Sequence, residues 1–299
     1  MIGHVAIVGA GAMGCLFAAR LAEGGVAATL VDVDAARLAA IGGHGITLTD
    51  DAGTRTLPVG AARAADLAAP VDLVILFTKG MHSAAAIDSI AHLAGARPIA
   101  LTLQNGIGNA ELLAATFGPD RVLMGTAHIP ADLTGPATVE THGFGHLHIG
   151  GFAAEAHALA PAVAELLARS GFGAHVTPDI AAAVWEKVAF NAALNATGMI
   201  ARVANAGLDN GPGHRIADAV VAETVAVAAA AGIALDAAGI MATVRAALAD
   251  HAHHKASMLQ DREHARPTEI ETINGAIARE GRRRGVATPV CDTLADIVA

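Results

Sequence analysis

Short apolar runs recur through the first half of the chain: Val5-Ala6-Ile7-Val8, Ala28-Thr29-Leu30-Val31, and residues 71–77, 98–103 and 122–127. Each is bounded by Gly or polar residues, and the stretches between them carry helical spacing, as in Cys15, Leu16, Ala18 and Leu21. Runs of this length alternating with helices predict buried parallel strands in βαβ units. Residues 46–49 and 54–57 alternate around Asp50-Asp51-Ala52-Gly53 and predict a hairpin insertion. Residues 137–141 and 146–149 read as strands closing this half, 154–170 as a helix and 173–176 as a last strand. After Thr177-Pro178-Asp179 the pattern turns helical, over 180–198, 213–231, 236–255, 268–285 and 289–299.

The first strand runs straight into Gly9-Ala10-Gly11-Ala12-Met13-Gly14 and then a helix. Gly9 permits a tight turn, Gly11 lets backbone approach a pyrophosphate, and Gly14 lets helix and strand pack closely. The helix N-terminus then faces the anion. The fold class expected is α/β: an N-terminal Rossmann-type doubly wound sheet over residues 1–178, binding a dinucleotide, and a second, all-α domain over 179–299 for substrate binding and dimerisation. The second strand ends on Asp32, about 20 residues past the loop, where a carboxylate accepts from ribose hydroxyls and repels a 2′-phosphate. Asp32 therefore favours NAD over NADP, while Asp34 is a candidate cap for the next helix. Later strands deliver Thr78-Lys79-Gly80 and Gln104-Asn105-Gly106 at their carboxyl ends, where open α/β sheets bind ligands. The candidate cofactor contacts are Gly9, Ala10, Gly11, Ala12, Met13, Gly14, Asp32, Lys79 and Asn105.

Composition narrows the classes further. Hydrophobic residues make up 54% of the 299, yet no run long enough to span a bilayer is free of Gly, Pro, His or charge, so no membrane role is expected. The N-terminus enters a strand without a secretory pattern, and two cysteines, Cys15 and Cys291, form no disulfide framework, so a cytoplasmic setting is expected. A net charge of −9 argues against nucleic acid, and Arg282-Arg283-Arg284 reads as the solvated end of a helix. His146 and His148 share a strand face, but no carboxylate or cysteine stands at ligand spacing, so no metal site is expected; His251, His253 and His254 read as an exposed helix face. The Ala-rich terminal helices would suit a homodimer interface.

In the second domain Lys187, Asn191 and Asn195 are spaced i, i+4, i+8 and form one polar stripe on an otherwise apolar helix. Ser257 and Asp261 repeat the i, i+4 spacing, and Arg266-Pro267-Thr268-Glu269 is expected to open a helix with Glu269 in its first turn. A lysine near its reference pKa of about 10.4 is protonated at neutral pH and can both donate a proton and stabilise an alkoxide.

Taken with the glycine loop, Thr78-Lys79, Gln104-Asn105-Gly106, Trp185, Ser257-Met258-Leu259-Gln260-Asp261 and Ile273-Asn274-Gly275, this order of motifs resembles the ketopantoate reductase family across the whole chain. The resemblance implies an oxidoreductase that transfers hydride from NAD(P)H to the 2-oxo group of 2-dehydropantoate, giving pantoate. It implies Lys187 as general acid and Asn105, Asn191 and Asn195 as substrate-orienting groups. Ser257 would bind the substrate carboxylate, Lys79 would lie near cofactor and substrate, and Glu269 would accept from the substrate hydroxyl. Asp32 departs from the family, whose commonest members use NADPH and place a basic residue nearby. The alternatives are a same-fold enzyme acting on another 2-oxo acid or on an amino or opine substrate, and a non-enzymatic NAD(H)-sensing regulator.

Overall fold

The computed structural model describes residues 2–68, 70–143 and 145–299. It divides into two compact units, one of residues 1–104 and 109–180, the other of residues 105–108 and 181–299.

The first unit is built on an eight-stranded sheet, order β12-β11-β8-β7-β6-β1-β2-β5. Its strands are β1 (His4–Val8), β2 (Ala27–Val31), β5 (Gly60–Ala62), β6 (Leu73–Leu76), β7 (Ile99–Thr102), β8 (Val122–His128), β11 (His146–Gly151) and β12 (Gly173–Val176). Six run parallel, and β11 joins β8 antiparallel and carries β12 with it. The two-residue strand period sorts apolar side chains into two cores. Val5 and Ile7 pack with Phe17 and Leu21 of the helix Ala12–Glu23. Ala6 and Val8 pack on the other face with Ile87, Ile90 and Leu113. Strand order reverses at β1, between β2 and β6, and this switch point fixes where a ligand can bind at the carboxyl ends.

The expected hairpin forms as β3 (Ile46–Asp50) and β4 (Gly53–Leu57). It is half of a separate four-stranded sheet, order β4-β3-β10-β9, with β9 (Asp132–Gly135) and β10 (Thr138–Glu140). The expected strand over 137–141 forms at residues 138–140, but in this second sheet, paired in parallel with β3 some 90 residues earlier.

The second unit is helical: Ile180–Ala201, Asn205–Leu208, Gly211–Ala230, Ala237–Asp250, Ser257–Glu263, Asn274–Arg284 and Pro289–Val298. Val188, Ala192, Val220, Val227, Ile273 and Ile277 form its core. Asn210 caps Gly211–Ala230 by accepting from the Gly213 N–H at 2.9 Å, and the Glu223 carboxylate receives Val290 and Cys291 N–H groups at 2.8 Å, starting Pro289–Val298. Two expected helices are cut short. Residues 251–255 leave the helix because the Ala252 and His254 carbonyls accept from Ala206 and Asn205 instead, so His251, His253 and His254 line an exposed turn. Residues 268–273 make a 3₁₀ turn, Ile270–Thr272, and the α-helix starts only at Asn274. The Thr272 carbonyl accepts from the Ile107 N–H at 3.0 Å, and the backbone turns at Ile273, φ −109° and ψ −95°.

Candidate functional site

In the first unit the glycine loop closes the carboxyl end of β1. Gly9 has φ +106°, and an added Cβ would lie 2.7 Å from the Thr78 nitrogen, so the turn presses against the segment that carries Lys79. A Cβ on Gly14 would lie 1.9 Å from the Gly9 carbonyl oxygen, which is how closely the helix approaches the strand end. Around Gly11 the opposite holds: a Cβ there would meet no heavy atom within 4 Å. A tight turn, a close helix and an open face at the middle glycine make a cradle that fits a pyrophosphate. Ala12 and Met13 begin the helix Ala12–Glu23. Lys79 follows β6, the neighbour of β1, at the same end of the sheet.

Asp32 stands at the end of β2 and is tied to the loop. Its Oδ2 accepts from the Ala10 N–H at 2.6 Å, and its Oδ1 accepts from Val33 and Asp34 N–H groups at 2.7 and 3.0 Å. Oδ1 thus has both lone pairs engaged, while Oδ2 keeps one further lone pair, so a ribose hydroxyl can still be received there. Asp34 caps the next helix through the Arg37 N–H at 3.0 Å. Sequence reasoning missed Arg37, whose Nη1 donates to the Ala10 carbonyl at 2.6 Å; nothing in its spacing marks a contact that depends on how Ala35–His44 packs. Cys15 is buried beside the loop, and burial pushes its thiol up to about 12, so it is no nucleophile despite the nearby helix N-terminus. Gln104 turns back into the fold, its Nε2 donating to the Thr78 carbonyl at 2.5 Å and the Ser83 hydroxyl at 3.0 Å, and so serves structure rather than the cleft.

The remaining candidates belong to the second unit. Lys187, Asn191 and Asn195 lie along the helix Ile180–Ala201. Asn195 is buried, and its Nδ2 donates to the Ser257 hydroxyl at 3.3 Å, joining that stripe to the helix Ser257–Glu263. Asp261, one turn on from Ser257, is buried and accepts from Arg266 Nε at 3.1 Å, which anchors the segment leading to Glu269. Glu269 is buried just before the 3₁₀ turn, and the Asn105 Nδ2 donates to its Oε2 at 3.5 Å. Residues 105–108 are held there by the Ile107–Thr272 bond and by Gly106. Gly106 has φ +90°, and an added Cβ would lie 2.2 Å from the Thr272 carbonyl oxygen.

Desolvation lowers the Lys187 pKa from 10.5 to about 8, and the Glu269 carboxylate opposes the fall. The lysine thus sits nearer neutrality than its reference value implies, while staying mostly protonated at pH 7, the poise suited to a general acid. Asn105, Lys187 and Glu269 are one group and Asn195 and Ser257 another; Asn191 lies on the helix between Lys187 and Asn195. Among the described residues no group of three or more His, Cys, Asp or Glu could hold a metal ion, and no helix is long and apolar enough to cross a membrane.

Comparison with known proteins places the chain in a family. Residues 5–154 match the family model described as "Ketopantoate reductase PanE/ApbA", and residues 179–299 match "Ketopantoate reductase PanE/ApbA C terminal". A 2-dehydropantoate 2-reductase of Halobacterium salinarum is 33% identical over 297 residues, 99% of this chain and 97% of its own. One from Lactococcus lactis is 30% identical over 301 residues, covering 99% of this chain and 96% of its own. Among solved structures, D-mandelate dehydrogenase with NADH and anilino(oxo)acetate superposes with TM-score 0.93 at 31% identity, covering 99% of this chain and 97% of that one. The 2-dehydropantoate 2-reductase of Geobacter metallireducens gives 0.91 at 30%, covering 99% and 98%. A Rossmann-type unit bearing this glycine loop, followed by a helical unit and matched along its whole length by such enzymes, marks an NAD(P)-linked oxidoreductase that acts on a CH–OH group. Within that class, the chain belongs to the ketopantoate reductase family.

Proposed function

We propose that this protein reduces the 2-oxo group of 2-dehydropantoate to the alcohol of pantoate, with NADH preferred over NADPH. The observation that carries the reading is Lys187, its pKa lowered by burial and held partly up by Glu269, on the same helix face as Asn191 and Asn195. The nicotinamide cofactor, when bound, supplies the hydride. Lys187 gives its proton to the carbonyl oxygen and stabilises the alkoxide charge that develops there. Glu269 accepts from the substrate's hydroxyl; a carboxylate facing an anionic substrate is tolerable only where that donor is offered. Asn105 holds Glu269 and, with Asn191 and Asn195, orients the substrate, while Ser257 receives its carboxylate. Gly9, Ala10, Gly11, Ala12, Met13 and Gly14 bind the pyrophosphate, Asp32 the adenosine ribose, and Lys79 the cofactor near the reacting end. In this reading residues 1–178 are the dinucleotide domain, and 179–299 bind substrate and form a homodimer contact. Two buried, unpaired cysteines suit a reducing cytoplasm.

A second reading is reduction of a different 2-oxo acid, favoured by the high structural similarity to D-mandelate dehydrogenase. A substrate panel at fixed NADH decides between them. A kcat/KM for 2-dehydropantoate above those for benzoylformate and simple aliphatic 2-oxo acids supports the first reading. The reverse order replaces it with the second.

A further inference from the structure

Ala10, wholly buried between the first two glycines, has both of its backbone polar atoms gripped by side chains from beyond β2. Its N–H is held by Asp32 Oδ2 at 2.6 Å, and its carbonyl accepts from Arg37 Nη1 at 2.6 Å and, over a longer distance, from the Cys15 thiol at 3.4 Å. These atoms belong to two successive peptide planes: the N–H to Gly9–Ala10 and the carbonyl to Ala10–Gly11. In a trans peptide, C=O and N–H point in opposite directions. Turning the Ala10 carbonyl toward Arg37 therefore aims the Gly11 N–H directly away from that guanidinium. A glycine has little intrinsic preference against the flipped plane, which would point the carbonyl where the N–H now points.

Arg37 is itself fixed for this purpose. Its N–H is the one capped by Asp34, its guanidinium lies 3.9 Å from Asp34 Oδ2, and its side chain is 26% exposed. Its Nε, the atom that lies 3.9 Å from Asp34, is buried and makes no hydrogen bond among the described residues. Partly burying a cation and leaving its Nε without a hydrogen bond is unfavourable for stability alone. We propose that Arg37 is a positioning residue for dinucleotide binding, locking the Ala10–Gly11 peptide so that the Gly11 N–H is presented to the pyrophosphate. Asp32 locks the preceding peptide and in addition reads the ribose. The division of labour is testable because the pyrophosphate is common to NADH, NADPH and ADP-ribose, whereas the ribose 2′ position is not.

The inference rests on reading the first unit as the dinucleotide site. Fluorescence titration of NADH and NADPH, with ADP-ribose by competition, is run on wild type, Arg37→Met and Arg37→Lys. The expected result for Arg37→Met is a rise in Kd of about tenfold or more for all three ligands, with the NADH/NADPH ratio kept within about twofold and Tm nearly unchanged. Arg37→Lys, which keeps a donor for the Ala10 carbonyl, recovers part of the affinity and serves as the test if Arg37→Met does not fold. Unchanged Kd values in the variants overturn the inference while leaving the site reading intact. A loss confined to NADPH also overturns it, because Arg37 would then be reading a 2′-phosphate. Failure of the wild type to bind any of the three overturns the site reading and the inference together.

Discussion

Replacing Glu269 with Gln should move the pH dependence of turnover in a direction the structure dictates. Burial carries Lys187 from 10.5 to about 8, roughly 3 kcal/mol against the ammonium, and the Glu269 carboxylate is the group that opposes this fall. Reduction needs the protonated lysine, so the wild-type kcat/KM should be level below pH about 8 and fall above it. Oxidation of the alcohol needs the neutral amine, and its rate should rise through the same range. An opposite charge nearby typically holds a cation's pKa up by about one to three, so removing it should bring the break to roughly 7 or lower. The assay is kcat/KM for the 2-oxo acid in NADH-dependent reduction, measured from about pH 6 to 10 on wild type and Glu269→Gln. A break that stays near 8, or moves upward, refutes the pairing of Lys187 with Glu269. The stability sign follows from the same depressed value: the contribution of this lysine is complete above pH 10.5 and is lost as pH falls through about 8.

Three further outcomes are expected. Gly14→Ala places a methyl 1.9 Å from the Gly9 oxygen and should abolish NADH binding in a fluorescence titration, with a lowered Tm from the displaced helix. Asp32→Asn keeps an acceptor for the Ala10 N–H but removes the charge, so the NADPH/NADH ratio of Kd should fall toward unity while total affinity survives; an unchanged ratio would deny Asp32 the ribose role. Gly106→Ala meets both a φ of +90° and the Thr272 carbonyl at 2.2 Å. It should displace Asn105 from Glu269 and lower kcat/KM by about tenfold or more while NADH binding is retained, read by steady-state kinetics alongside titration.

What could be read from the sequence divides along physical lines. The glycine loop was legible because each glycine answers a local backbone demand, and Asp32 because its distance from the loop is set by one βαβ unit. The Lys187, Asn191 and Asn195 stripe was legible from helical period alone. The second sheet was not, since β3 and β10 pair across some 90 residues and neither strand's composition names its partner. Nor was the break after Glu269, which exists because the Thr272 carbonyl is claimed by Ile107 from a distant part of the chain. Arg37 escaped notice for the same reason: its contact with Ala10 is made by tertiary packing, and in sequence it is one arginine in a helix's first turn.

The central claim is that Lys187 supplies the proton to a bound 2-oxo acid. The most direct test is the initial rate of 2-dehydropantoate reduction, with NADH and with NADPH, on wild type and Lys187→Ala, accompanied by NADH titration of both. The expected result is turnover by the wild type and a loss of about 10²–10⁴-fold in kcat for Lys187→Ala with cofactor affinity retained. A variant that keeps its rate to within a few fold, or a wild type that binds NADH and turns over no 2-oxo acid, would contradict it.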